Sequence, residues 1–247
     1  MSVLAAIILC DRKASSQLVA VPSVIRMQGI DEVYVNVETE DACRPWPTER
    51  WQALDDYLNK AALSSTVETW CRSGWFGSRP RFDQDQRRLI YIVAARNMAI
   101  DYAVDQGYDW LLFVDADVVP RPDGLEHLLS LEKVLCGGYV PGRGAHSHLH
   151  YVFASPDQPI EDFGDVIRCG HGTCGYMLIH HTIFERLRFR YGPHPTHPEI
   201  WLSEDPAYCA DAIHLGLTDA FYVHKRATAL HWDDPDHPLT QRGTAQY

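Results

Sequence analysis

The chain has 247 residues, of which 46% are hydrophobic and 22% are charged, a composition typical of a globular protein and not of a disordered or fibrous one. Its 22 Lys and Arg against 33 Asp and Glu give a net charge of −11, which opposes a long-range attraction to nucleic acid or to an anionic membrane. The seven cysteines form no C-x-x-C pair and the apolar N-terminal run is too short to span a bilayer, so we expect reduced thiols in a cytoplasmic protein without a transmembrane segment.

The first forty residues predict the start of a parallel sheet. Val3 to Leu9 is a β-branched and aliphatic run that indicates a strand, and a helical pattern follows from Leu18 to Gly29. Glu32 to Val37 alternates as a second strand, and the order strand, helix, strand is typical of a parallel sheet. Ligands bind beyond the carboxyl ends of such strands. Four residues lie at these ends: Cys10, Asp11, Arg12 and Glu38. They are either nucleoside contacts or ordinary loop residues.

A long helix leads into the centre of the chain. A helix opening at Thr48 and an edge-like strand from Thr66 to Trp70 come first, and apolar residues at helical spacing then run from Arg87 to Gln106. Arg96 falls in the middle of this helix, where a buried arginine requires a partner. We expect Arg96 to hold the helix on the sheet through an ion pair with Asp115, or to contact a bound ligand as well.

The stretch that follows the long helix is the most informative part of the sequence. Five apolar residues, from Trp110 to Val114, predict a strand buried on both faces, and the strand ends in Asp115 and Asp117. In an extended chain these two carboxylates point to the same side, with Ala116 turned away. Oxygen ligands suit a hard cation such as Mg²⁺ or Mn²⁺. The alternative interpretation is a strand that ends in a solvated acidic turn.

Three histidines follow the next predicted strand, which spans Val134 to Val140. His146, His148 and His150 alternate, so on a strand they would share one face and could bind Zn²⁺. A surface loop or a polar strip that faces a substrate gives the same pattern. The stretch lacks Cys and acidic partners, which favours the surface loop.

A glycine-rich turn predicts a close approach of the backbone to a ligand or a positive φ angle. Gly170, Gly172 and Gly175 lie within six residues, with Thr173 between them. The residues that follow continue as a strand from Tyr176, so this is not the strand-to-helix glycine pattern of a dinucleotide site.

A second acidic pair opens a predicted helix near the C-terminal end. Ser203 is the expected N-cap, and Glu204 and Asp205 fall in the first turn, where carboxylates either complement the helix dipole or accept a proton from an alcohol. A further strand is predicted from Ala220 to His224, and Ala229-Leu230-His231-Trp232 then places a histidine just before an acidic segment.

Four of these stretches together resemble a known family. Ala95–Ile100, Phe113–Asp117, Ser203–Asp205 and His231–Trp232, in this order and spacing, are similar to the nucleotide-sugar-dependent glycosyltransferases of the GT-A fold, especially the family 2-like group. The resemblance covers roughly residues 87 to 232. It implies a single-domain α/β fold of the GT-A (Rossmann-like) type, with a mixed, mostly parallel sheet flanked by helices. Residues 1–117 would be the nucleotide-binding half, and residues 118–247 the half that binds acceptor and metal.

The resemblance also implies an activity and a set of site residues. We expect a metal-dependent, hexosyltransferase-like enzyme that moves a sugar from a nucleoside-diphosphate sugar, with a UDP-sugar favoured, to an acceptor hydroxyl with inversion. The expected cofactor is Mn²⁺ or Mg²⁺, held by Asp115, Asp117 and His231. The expected proton acceptor is Asp205, with Glu204 as its neighbour. The donor-binding residues implied in this way are Cys10, Asp11, Arg12, Glu38, Arg96, Asp115, Ala116, Asp117, Gly172 and Thr173.

Two other classes of function stay open at this point. A nucleotidyltransferase also uses paired acids and a divalent ion, although it usually needs a basic, glycine-rich phosphate loop, of which Asp11-Arg12-Lys13 is a poor version. A catalytically silent nucleotide-sugar binding protein would keep the fold and lose the base. The sequence leaves the acceptor open among saccharide, protein, lipid and modified nucleic-acid base, and it leaves the oligomeric state open as well.

Overall fold

The computed structural model describes residues 1–9, 18–39, 48–61, 63–71, 84–141 and 152–231, except for the side chains of residues 38, 39, 70, 71, 84–89 and 231. The predictions for Cys10, Asp11, Arg12 and the three alternating histidines lie outside the described residues. The helices are α1 (Ala20–Ile25), α2 (Thr48–Lys60), α3 (Gln84–Gln106), α4 (Gly124–Leu129), α5 (His181–Phe184) and α6 (Glu204–His214). The strands are β1 (Val3–Leu9), β2 (Glu32–Thr39), β3 (Ser64–Cys71), β4 (Trp110–Asp115), β5 (Val118–Pro120), β6 (Leu135–Tyr139), β7 (Glu161–Asp162), β8 (Val166–Cys169), β9 (Tyr176–His180), β10 (Gly192–Pro193), β11 (Trp201–Leu202) and β12 (Phe221–His231).

Ten of the described strands form one mixed sheet. The order is β3-β2-β1-β4-β9-β6-β12-β8-β7, with β5 paired to β12. Strands β3, β2, β1 and β4 are all parallel, as the strand, helix, strand pattern predicts, whereas β9 enters antiparallel to both β4 and β6. The carboxyl ends of β1, β2 and β4 therefore lie at one edge of the sheet, where α/β proteins bind ligands.

The sheet separates two apolar cores. Alternate residues of β1 belong to different cores, because successive side chains of a strand point to opposite faces. Ile7 packs in the core that includes residues of α1, α2 and α4, and Ala6 packs in the core that includes residues of α3, α5 and α6. The molecule therefore has helices on both faces of its sheet, in agreement with the predicted α/β architecture.

Helix α3 lies close to the sheet because small residues face it. Ala95, Ala99 and Ala103 are fully buried, and their short side chains let the helix axis approach the strands. Asn97 fixes the helix to the chain after α5: its amide donates to the Phe189 carbonyl oxygen (3.0 Å) and its side-chain oxygen accepts from the Phe189 N–H (2.7 Å). The same helix therefore carries Arg96 to the carboxyl edge of the sheet.

Three local predictions differ from the structure. Strand β4 ends at Asp115, and residues 116 and 117 form a turn before β5, so the chain is not extended through Asp117. The strand predicted from Ala220 to His224 is longer in the structure, where β12 runs from Phe221 to His231 with a register shift between His224 and Thr228. Ser203 precedes α6 as predicted, but its side chain makes no cap hydrogen bond.

Two further findings concern the described residues alone. No helix among them has the length and the apolar composition that a membrane span requires. The cysteines among them whose state the structure gives are free thiols buried in the protein: Cys136, Cys169, Cys174 and Cys209.

Candidate active site

The centre of the site is a buried guanidinium that three carboxylates share. Arg96 is only 3% exposed. Its Nη2 lies 3.3 Å from Asp115 Oδ1, and its Nη1 contacts Glu204 Oε1 at 3.4 Å and also donates to Asp205 Oδ1. The guanidinium carbon lies over the Phe189 ring, 5.4 Å from its centre, in a cation–π contact. The predicted ion pair of Arg96 with Asp115 is present, and the acidic pair at the start of α6 joins it.

Asp205 is held from a second direction by the glycine-rich turn. Its Oδ2 accepts a hydrogen bond from the Cys174 N–H (3.0 Å) and a long one from the Thr173 hydroxyl (3.4 Å). The Thr173 oxygen in turn accepts from the Gly175 N–H (3.0 Å). A carboxylate with both oxygens bonded in this way has a defined orientation. The backbone donor of Cys174 is a contact that sequence reasoning did not identify, because nothing in a cysteine's side chain signals a role for its N–H.

Glu204 has an unusual electrostatic environment. Its side chain is 10% exposed and its only described cation is Arg96, which it shares with Asp205 and Asp115. Burial, and then the neighbouring negative charge of Asp205, raise the pKa of Glu204 to about 7, although Arg96 acts in the opposite direction. A carboxyl group with a pKa near 7 exchanges a proton readily at neutral pH.

The acidic turn after β4 lies beside both the glycine-rich turn and the end of β12. The Asp115 N–H donates to the Gly175 carbonyl oxygen at 3.0 Å. A Cβ atom on Gly175 would lie 3.2 Å from Asp115 Oδ2, so glycine leaves room for this carboxylate. Val118, the residue after Asp117, pairs with His231 across β5 and β12. The fold therefore brings the backbone of His231 next to the turn that carries the two aspartates.

The donor atoms near this turn fit a hard divalent cation in type. Asp115 is partly exposed and Asp117 is 6% exposed, and both offer carboxylate oxygens. Among the side chains that the structure describes, no group of three or more His, Cys, Asp or Glu residues lies close enough to hold a metal ion. The His231 side chain, the third predicted ligand, lies outside that set.

The remaining predicted donor contacts have different surroundings. Glu38 lies near the end of β2, paired with Trp70, and its side chain is outside the described set. Ala116 lies in the acidic turn and is partly buried. Gly172 packs against the Phe221 ring, and a Cβ atom there would lie 2.3 Å from that ring. Close packing in the core therefore accounts for glycine at position 172.

Sequence reasoning did not single out two histidines, of which His171 interacts electrostatically with Asp205 and His194 interacts with His171. Burial lowers the pKa of His171 to about 4, with Asp205 opposing this shift and His194 adding to it. His194 is 6% exposed, and burial also lowers its pKa. Both imidazoles are therefore neutral near pH 7. The proximity of His171 to Asp205 depends on contacts between distant segments, which local sequence patterns do not report.

Comparisons with known proteins identify the fold. No protein-family model and no curated protein sequence matches the chain. Among solved structures, S. aureus TarS 1-349 in complex with UDP superimposes with a TM-score of 0.55 at 14% identity, covering 93% of this chain and 59% of that one. The mannosyltransferase PcManGT from Pyrobaculum calidifontis, in complex with GDP-Man and Mn²⁺, superimposes with a TM-score of 0.53 at 12% identity, covering 97% of this chain and 59% of that one.

These structural neighbours share the GT-A fold, and the chain described here has that fold too. The chain spans less than two thirds of the length of both structures. At such low identity the likeness concerns the arrangement of strands and helices.

Proposed function

We propose that this chain is a metal-dependent glycosyltransferase that moves a sugar from a nucleoside-diphosphate sugar to an acceptor hydroxyl with inversion. The observation that carries the proposal is the set of carboxylates around Arg96. It joins an aspartate at the end of a central parallel strand to an acidic pair at the start of α6, in a chain with the GT-A fold. That edge of the sheet is where α/β proteins bind their ligands.

In this proposal the donor binds across the carboxyl ends of β1, β2 and β4. A UDP-sugar is favoured, and GDP-sugars belong in the same assay because one neighbour binds UDP and another binds GDP-Man. Arg96 has a structural role already, since it holds three carboxylates, and its buried position makes it a positioning residue. The residues proposed to contact the donor are Cys10, Asp11, Arg12, Glu38, Asp115, Ala116, Asp117, Gly172 and Thr173.

The proposed cofactor is Mn²⁺ or Mg²⁺, held by Asp115, Asp117 and His231. When bound, such an ion supplies a Lewis acid that neutralises the charge of the leaving diphosphate. Support comes from the carboxylate oxygens of the acidic turn and from the pairing that brings the His231 backbone beside it. The protein contributes the defined position of Asp115, which Arg96 and the Gly175 carbonyl hold in place.

Asp205 is the proposed proton acceptor. In the reaction the acceptor oxygen forms a bond to the anomeric carbon as the bond to the diphosphate oxygen breaks, and the hydroxyl proton passes to the carboxylate. Arg96 and the Cys174 N–H orient Asp205, and its side chain keeps 17% exposure, more than the 10% of Glu204. Glu204 is the alternative, since its raised pKa of about 7 also suits a general base.

The first experiment measures release of nucleoside diphosphate from UDP- and GDP-sugars with Mn²⁺ or Mg²⁺. Asp117→Ala and the isosteric Asp117→Asn should abolish turnover and metal-dependent donor binding, while thermal unfolding shows whether each variant is folded. Asp56→Ala, which changes an exposed aspartate on α2, is the matched control and should behave as wild type. Donor that binds without turnover would indicate a silent binder, and release of pyrophosphate from a nucleoside triphosphate would indicate a nucleotidyltransferase.

The second experiment separates the two acids of the pair. Asp205→Asn should lower transfer on the order of 10²-fold or more and leave donor affinity nearly unchanged, because it removes the proton acceptor and keeps the shape. If Glu204→Gln has that effect instead, and wild-type transfer falls on acidification with a midpoint near pH 7, then Glu204 is the base. If neither change slows transfer, the inverting mechanism with a carboxylate base is wrong. The anomeric configuration of the product then shows whether transfer inverts or retains.

A further inference from the structure

A surface of aromatic and imidazole rings lies beside the acidic pair of α6. It consists of Phe153, His171 and Trp201, and we call it the aromatic surface. The buried His194 interacts electrostatically with His171 and is hydrogen-bonded to Ile200, the neighbour of Trp201. Two members of the aromatic surface are exposed large hydrophobic residues: Phe153 is 42% exposed and Trp201 is 68% exposed. Large exposed aromatic groups next to polar groups are typical of binding sites. The proposed reaction requires an acceptor near Asp205.

The first half of the aromatic surface is built on the glycine-rich turn. The rings of Phe153 and His171 stack with centroids 4.9 Å apart and an interplanar angle of 13°. Their backbones are paired as well, since each N–H donates to the carbonyl oxygen of the other residue at 3.0 and 3.1 Å. His171 also lies close enough to interact electrostatically with Asp205 and with His194. This stack is therefore joined directly to the turn that orients Asp205.

The second half is a hairpin formed by β10 and β11. Arg190, just before the hairpin, makes two 2.6 Å contacts with Asp211 of α6 and donates to the Pro193 carbonyl oxygen at 3.1 Å. Within the hairpin, the His194 N–H donates to the Ile200 carbonyl oxygen at 2.8 Å. Trp201 lies three residues before Glu204, opposite Pro193. The bidentate ion pair fixes the hairpin on the same helix that presents the acidic pair.

The charges around the aromatic surface disfavour an anionic acceptor. Asp157 and Glu199 are 56% and 69% exposed and flank His197, at 3.3 and 3.4 Å from its ring nitrogens. The described arginine of this region, Arg190, is already paired with Asp211. Carboxylates repel phosphate groups, and they accept hydrogen bonds from hydroxyl groups. A neutral polyhydroxylated molecule suits these charges better than a nucleic acid does.

We infer that the aromatic surface binds the acceptor of the proposed glycosyl transfer and that this acceptor is a neutral saccharide. The C–H bonds on one face of a pyranose carry a small positive charge, so that face packs on the negative face of an aromatic ring. The Trp201 indole and the Phe153 ring offer such faces. The His171 imidazole and the carboxylates of Asp157 and Asp205 offer partners for hydroxyl groups. This inference rests on the proposed function.

The test combines transfer kinetics with a binding measurement that needs no donor. Methyl glycosides of glucose, galactose, mannose and N-acetylglucosamine, and disaccharides of these sugars, are offered as acceptors in the diphosphate-release assay. In Trp201→Ala the fold-increase of the acceptor KM should be about ten times the fold-increase of the donor KM. Trp201→Phe should restore most of the lost acceptor affinity because it keeps a stacking face. Tyr57→Ala, which removes an exposed aromatic residue of α2, is the matched control and should leave both KM values unchanged.

Saturation-transfer NMR with the same glycosides, in the absence of donor, separates this inference from the proposed function. Glycoside signals that disappear in Trp201→Ala and persist in Tyr57→Ala support the inference even if no donor is turned over. If single-stranded or duplex DNA, a peptide or a lipid stimulates turnover and no glycoside does, the inference is overturned while the transferase proposal stands. Glycoside binding that is equal in wild type and Trp201→Ala would overturn it as well.

Discussion

The environment of Glu204 predicts an unusual dependence of stability on pH. Its pKa is raised from an ordinary value of 4.5 to about 7, so between these values the folded chain keeps a proton that the unfolded chain has lost. The free energy of unfolding therefore falls as pH rises through this window. The difference between the two pKa values corresponds to about 3 kcal/mol, since one pKa unit is about 1.4 kcal/mol. Wild type bears this cost above pH 7.

Glu204→Gln should remove that cost, because glutamine has nearly the shape of the protonated glutamate. We expect the variant to match wild type at pH 4.5 and to be more stable by up to about 3 kcal/mol at pH 8. Urea unfolding of both proteins at pH 4.5, 5.5, 6.5 and 8 measures the difference directly. Glu126→Gln, on the exposed face of α4, is the control for replacing a glutamate by a glutamine on a helix. A Glu204→Gln variant whose stability relative to wild type falls as pH rises would refute the reasoning.

Three further predictions concern the same fold. Arg96→Met should lower the free energy of unfolding by about 3–5 kcal/mol at pH 8, because it leaves three carboxylates without their shared cation; a loss below about 1 kcal/mol in urea unfolding would contradict this. Gly138→Ala should cost at least about 1–3 kcal/mol by the same measurement, since its Cβ would lie 2.0 Å from a Tyr176 ring carbon and 2.3 Å from the Ala227 oxygen. His171→Asn should reduce the loss of thermal stability between pH 6.5 and pH 4, because the pKa of His171 is lowered to about 4 and only the unfolded chain gains a proton in that range.

Local sequence patterns were sufficient for the elements that build the central sheet. The apolar run of β1 is predicted at the bounds that the structure gives, Val3–Leu9, and the buried strand β4 and the long helix α3 lie where their periodicity indicates. Each of these features depends on which face of one segment is apolar, and a window of ten to twenty residues reports that. The resemblance to GT-A enzymes drew on the same segments, and the structural comparison confirms the fold.

Local patterns failed where the direction of the chain depended on pairing with another strand. The turn at residues 116 and 117 exists because β5 leaves the line of β4 to pair with β12, whose residues lie more than a hundred positions later. Two aspartates separated by one residue are compatible with both an extended chain and a turn. Only the pairing partner decides between them.

The site itself combines both kinds of information. The residue types at Asp115, Glu204 and Asp205, and a buried arginine in mid-helix, can be read from the sequence alone, because charge and helical position are local properties. That all three carboxylates meet one guanidinium is a property of the tertiary structure, since Glu204 and Asp205 lie 108 and 109 residues from Arg96. The raised pKa of Glu204 and the lowered pKa of His171 follow from burial and from charges that only the folded chain brings together.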